Sequence, residues 1–167
     1  MIKSLEIVFV DLESTASAFN ETAFFNKPDN GKWSVAENLQ HLFLTLNPLV
    51  DLLSLPEIML ERWGSSNRVS RDYDDIVAVY LRLIGRVGTT TSRYVPKNIC
   101  VSKAEEIQNY HKVCQSLLEK ISTLSESELD SYQLPHPIIG LLTLKEFLHF
   151  TKYHHEVHLE TLKKLLA

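Results

Sequence analysis

Three Ser/Thr-x-x-Glu starts, Ser34–Glu37, Ser102–Glu105 and Thr143–Glu146, each open onto a stretch whose apolar residues recur with helical spacing. In such a box the hydroxyl takes the backbone N–H three residues on, and the carboxylate reaches back to the capping N–H. The pattern commits most of the chain to helices, and with five glycines and no long period-two alternation nothing competes with it. A first helix is expected from about Ser4 to Asn20, with Leu5, Phe9, Leu12, Ala16 and Phe19 on one stripe. Ile7 to Val10 could be a strand, but the stripe continues past it at helical spacing. A second helix should run from Ser34 to about Asp51, kinked or interrupted at Pro48.

Arg71 to Arg86 reads as a helix with Ile76, Val77, Tyr80 and Ile84 facing inward. Another should begin after Ser102 and reach about Ser122, with Ile107, His111, Cys114, Leu118 and Ile121 as its stripe. Ser125 to Tyr132 suits a short polar helical turn, and the last helix starts at Thr143. Pro28–Gly31, Gly88–Thr91 with Pro96, and Pro135–Gly140 mark loops. The expectation is an all-α fold of at least four long helices, without a sheet.

A chain of 167 residues, 44% hydrophobic and 23% charged, suits one domain over residues 1–167. Its net charge of −4 leaves no basic footprint for nucleic acid. No apolar run approaches the length of a membrane span, and Met1 to Glu6 lacks the apolar core of a signal peptide. The reading is therefore a cytoplasmic protein with neither nucleic-acid nor membrane partner. Cys100 and Cys114 form no CxxC pair, and Cys114 on its stripe reads as a buried, inert thiol.

Seven histidines remain to be sorted. An α-helix turns roughly 100° per residue. With His154 at the origin of the last helix, Phe147, Phe150, Val157, His158, Thr161 and Leu165 fall within roughly 60° of it. Lys145, Lys152, Glu156, Glu160 and Lys163 take the far side, which sends His149 toward water. His154 and His158 thus point inward one turn apart, where two imidazoles can chelate one ion or serve as hydrogen-bonded residues at the core edge. His41 sits two turns into the second helix, where an apolar flank meets a polar edge, as suits a pocket wall. Three neutral imidazoles would leave a coordination position open. Periodicity does not bring the second and last helices together.

The segments Gly31–Leu42, His136–Thr143 and His154–Leu159 carry a Trp-Ser helix start leading to a His, a His-Pro-x-x-Gly-x-x-Thr loop and an HxxxH. In order and spacing they resemble the DinB/YfiT-like superfamily. The resemblance implies a four-helix bundle with His41, His154 and His158 as a metal triad at one end, holding zinc or nickel. It implies a metal-dependent hydrolase or a low-molecular-weight thiol transferase, acting on a small-molecule substrate or thiol. The alternative is a stress-response module that binds metal or a small ligand without catalysis. The chain has Leu159-Glu160-Thr161 where relatives often carry Arg and Gln. A homodimer through exposed helical faces fits a bundle of this size.

Among the remaining candidates, His155 reads as a supporting or interface residue beside the triad, and His111 as a packed histidine or a pocket wall. His136 reads as a loop-fixing residue, and Trp33 as an anchor for the approach to its helix. Glu37 could orient His41 or close the capping box. Asp72 to Asp75 reads as a solvated helix start. Free imidazoles titrate near pH 6.5, so proton competition for a bound ion is expected below about pH 6.

Overall fold

The computed structural model describes residues 1–28, 31–87 and 92–167, without the side chains of residues 86 and 87. The expected loop residues Asp29, Asn30 and Gly88–Thr91 lie outside the described residues. In chain order the elements are α1 (Ile2–Ser17), α2 (Glu21–Phe25), α3 (Val35–Leu52), α4 (Glu57–Trp63) and α5 (Tyr73–Val87). A 3-10 turn (Ser92–Tyr94), α6 (Lys103–Ser122), α7 (Glu126–Ser131), β1 (Gln133–His136), β2 (Gly140–Thr143) and α8 (Leu144–Leu166) follow.

The long helices α1, α3, α6 and α8 make the bundle. α3 packs on α6, α6 on α1 and α1 on α8, while α3 and α8 barely meet and α5 leans on α8 instead. That seam is where the bundle opens. Leu5, Phe9, Leu12 and Ala16 form the buried stripe of α1, and Phe19 is buried just past its end. Ile7 and Val10 stay on the solvent side, which decides the helix-or-strand question at that patch.

Ser34 and Glu37 close a full capping box on α3, and Pro48 sits inside that helix, which continues to Leu52. On α6 Ser102 accepts from Glu105 N. Its buried residues are Glu106, Tyr110, Val113, Cys114, Leu117 and Ile121, a stripe one step off the expected one. His111 is therefore exposed and pairs with Glu13 at 2.8 Å, away from the pocket beside His41, His154 and His158. Burial pushes the Cys114 thiol well above its ordinary range, so it is the inert group expected.

The expectation of no sheet is corrected. β1 and β2 pair antiparallel, with Leu134 opposite Leu142 and His136 opposite Gly140, whose φ of 90° suits glycine. Arms of four residues interrupted by Pro135 are too short to show alternation in a sequence. A second hydrophobic cluster, separate from the main core, gathers Ile76, Leu142 and Phe150 with Tyr80, Ile139 and Phe147 packed against it.

Glu146 ties this end together. Its side chain is fully buried, closes the Thr143 capping box, and accepts from Arg68, from Arg71 Nε at 2.9 Å and from the Arg71 backbone N–H at 2.8 Å. Burial opposes its ionisation, but the two guanidinium groups and the backbone donors outweigh it and hold the carboxyl far below its usual range. A carboxyl so depressed stabilises the fold above its unfolded pKa of 4.5, and the contribution fades as the pH falls through the acid range. Glu146→Gln should cost about 2 kcal/mol in urea unfolding at pH 7, below the figure for a fully buried pair because both arginines are partly solvated. The penalty should shrink as the measurement is moved toward pH 3.

Candidate metal centre

Three imidazoles meet between α3 and α8. His41, two turns past the Ser34 cap, is 4% exposed, while His154 and His158 are half-buried one turn apart on α8. One ligating nitrogen from each lies within 4.8 Å of the others. The Nε2 of His154 is 3.1 Å from that of His41 and 3.2 Å from that of His158.

The opposite ring nitrogens decide which lone pairs point inward. His41 Nδ1 is 2.8 Å from the Tyr94 carbonyl, which accepts but cannot donate, so the proton is on Nδ1 and Nε2 is bare. His158 Nδ1 is 2.7 Å from Asn38 Oδ1. The amide of Asn38 donates to the Ser34 carbonyl at 2.7 Å, which fixes its orientation and makes Oδ1 the acceptor. His158 Nε2 is therefore bare as well. With both neighbours bare, a single proton on His154 Nε2 can be directed at only one of them, and the other keeps its lone pair without a donor. A cation at the centre would take all three lone pairs at once. Imidazole nitrogens around tetrahedral zinc lie about 3.3 Å apart, given bonds of about 2.0–2.1 Å. The donor set fits a divalent ion.

Burial pushes all three imidazoles below their ordinary pKa, with the Tyr94 carbonyl pulling His41 part of the way back. Neighbouring rings add to the shift at His158, which falls to about 3. The folded rings therefore resist protonation more than free imidazoles, which are half-protonated near pH 6.5. Proton competition moves to more acid conditions than the sequence alone implies.

The cluster faces a pocket of about 300 Å³ walled by Trp33, Leu46, Tyr80, Ile84, Phe147 and Phe150. Trp33 lies 4.7 Å from the His41 ring and stacks over His158 at 6.3 Å, so it walls the triad as well as anchoring the helix start. Phe150 stacks on His154 at 5.5 Å.

The face of α8 that enters the core is centred on Leu148, Thr151, His155, Leu159 and Leu162. The stripe expected from the wheel is the pocket face beside it, and Val157 on that stripe is largely exposed. His155 is wholly buried, donates from Nδ1 to the Thr151 carbonyl at 2.8 Å, and packs between Phe9 and Tyr110. His149 does not project into water as expected. It is half-buried with Tyr73 edge-on to it at 6.3 Å, and it stands apart from the triad. Glu37 serves the capping box and a salt bridge from Lys27, leaving the orientation of His41 to Tyr94. Asp72 caps α5 by accepting from Asp75 N at 2.9 Å. Asn38 and Tyr94, which fix the two tautomers, were missed. Asn38 lies inside the Trp-Ser motif and offered a signal, whereas Tyr94 acts through its backbone and offered none.

The sequence matches the DinB superfamily over residues 4–162. Among solved structures it is similar to YfiT from Bacillus subtilis, described as a probable metal-dependent hydrolase with an unusual four-helix bundle topology. That similarity has a TM-score of 0.62 at 14% identity and covers 98% of this chain and 82% of that one. No curated protein matches the sequence significantly. Among the described residues no single helix is long and apolar enough to cross a membrane.

Burial lowers the folded pKa of His155 to about 4, against 6.5 for the free ring. Between those values the unfolded chain binds a proton that the folded chain refuses, so stability must fall as the pH drops from 6.5 toward 4. The loss from this one ring is on the order of 3 kcal/mol. In chelator-treated protein, His155→Phe should flatten the curve of unfolding free energy against pH across that window. Curves that stay parallel for the two proteins would show that His155 is not held neutral.

Proposed function

We propose that this chain, which belongs to the DinB superfamily, is a metal-dependent hydrolase whose divalent ion is held by His41, His154 and His158. The observation that carries the reading is the convergence of three Nε2 atoms, two of them held bare by their outer hydrogen bonds, which one cation would satisfy together. The description of YfiT, whose bundle this chain resembles, supports the same class of reaction. An all-imidazole set suits zinc or nickel. A divalent ion with three protein ligands supplies Lewis-acid activation of a water at its open position.

The chain contributes position and environment. The Tyr94 carbonyl and Asn38 hold two rings in the tautomers that present Nε2. Trp33 and Phe150 keep bulk water off the rings, and the pocket beside them receives the substrate. Among the described residues no carboxylate lines that pocket to serve as a general base.

Calorimetric titration of zinc and nickel into chelator-treated protein tests the ligand set. His41→Ala, His154→Ala and His158→Ala should each weaken affinity at least about tenfold, without adding in the triple variant. Asn38→Ala should weaken it about tenfold by releasing the His158 tautomer, and His149→Ala should change nothing. Wild type should still bind near pH 5, below the range of a free imidazole. Wild-type affinity in the His41 variant would remove α3 from the site. Chelator-sensitive cleavage of ester or amide substrates tests the reaction, and turnover that requires an added thiol would reassign it to transfer.

A further inference from the structure

His136 lies outside the triad and shares its pocket. Its Nδ1 sits 3.2 Å from Ile138 N and 3.1 Å from Ile139 N. Both are backbone donors, so Nδ1 accepts and the proton of the neutral ring is on Nε2. This tautomer is set by the turn itself. Among the described residues that Nε2–H meets no hydrogen-bond acceptor, yet it is not among the enclosed polar atoms left without a partner. In a ring that is 6% exposed and lines the pocket, the opening it meets is the pocket.

The ring has little freedom to turn elsewhere. Phe150 stands edge-on to it at 4.2 Å, Phe147 at 5.9 Å and Tyr80 at 6.3 Å. Burial lowers its pKa to about 4, so it remains a neutral donor at ordinary pH. Phe150 touches His136 on one side and stacks on His154 on the other. A flat molecule lying over Phe150 would have the triad at one end and a fixed N–H at the other. Among residues whose side chains are described, no Lys, Arg, Asp or Glu lines the pocket. In the metal-free pocket a charged group would lose its hydration without meeting a described charged side chain to replace it.

We propose that this pocket takes an uncharged, mostly apolar carbonyl compound whose oxygen accepts a hydrogen bond from His136 Nε2. The proposal rests on the hydrolase reading for the reaction, while the binding it describes is a property of the pocket. The class covers esters and amides with an aromatic-sized body. His136 is the residue that distinguishes a carbonyl-bearing ligand from a plain hydrocarbon of the same size.

Three probes on full-length protein, zinc-loaded and chelator-treated, test this by calorimetry or ligand-observed NMR. Acetanilide carries ring and carbonyl, 4-acetamidobenzoate adds a carboxylate, and ethylbenzene lacks the acceptor. Chelator-treated protein should bind acetanilide at least about tenfold more tightly than 4-acetamidobenzoate. His136→Asn retains a side-chain acceptor for the turn but loses the Nε2 donor. It should weaken acetanilide about fivefold and leave ethylbenzene within about twofold. In the wild type, the Nε2 proton resonance of His136 should move when acetanilide is added, an arm that needs no variant to fold. Equal binding of the anion, no binding of acetanilide, equal loss of both neutral probes in His136→Asn, or an unmoved resonance would each overturn the proposal. Zinc that fails to bind sinks the hydrolase reading and leaves these arms standing, whereas failure here with zinc bound sinks this proposal alone.

Discussion

The buried carboxylate of Glu146 sets the geometry on which the site depends. It closes the cap of α8, and it holds Arg68 and Arg71, which bring the chain to the start of α5. A helix whose first turn is fixed has its rotation fixed along its length, so this contact also determines where His154 and His158 point. The same contact seats α5 against α8, which places Tyr80 and Ile84 across the pocket. One ionised group thus aligns the helix of His154 and His158 and its facing wall.

The triad adds a different kind of control. Its geometry follows from two oxygens, the Tyr94 carbonyl and Asn38 Oδ1, each of which forces a proton onto the outer nitrogen of a ring. The inner lone pairs of His41 and His158 are thus set by the fold itself. Low pKa values follow from the same burial, because surrounding aromatic rings offer nothing that would solvate an imidazolium. Geometry and electrostatics therefore agree: the folded chain keeps these nitrogens bare and neutral.

Much of this was legible in the sequence, where local chemistry dictated it. Ser34 with Glu37 and Thr143 with Glu146 marked the starts of the two helices that carry the clustered histidines, and the spacing of His154 and His158 marked one face. The rotation of α8 was misjudged for a physical reason. Its pocket face carries Phe147 and Phe150, while its core face carries Thr151 and His155, so hydrophobicity pointed toward the pocket. On α6 the buried Glu106 and the exposed His111 inverted the same signal. The Arg68 and Arg71 contacts of Glu146 and the Tyr94 carbonyl contact of His41 join residues far apart in sequence, which no local pattern announces, and the hairpin's arms are too short to show alternation.

Part of the pocket wall belongs to a small hydrophobic cluster distinct from the main core, although Leu46 and Phe147 join that core. Tyr80 and Ile139 can therefore vary without opening voids among the leucines of α1, α3 and α6. The shape of the cleft and the packing of the bundle rest largely on different residues. A lineage, or a designer, can reshape the cleft repeatedly while the scaffold that aligns the histidines stays intact.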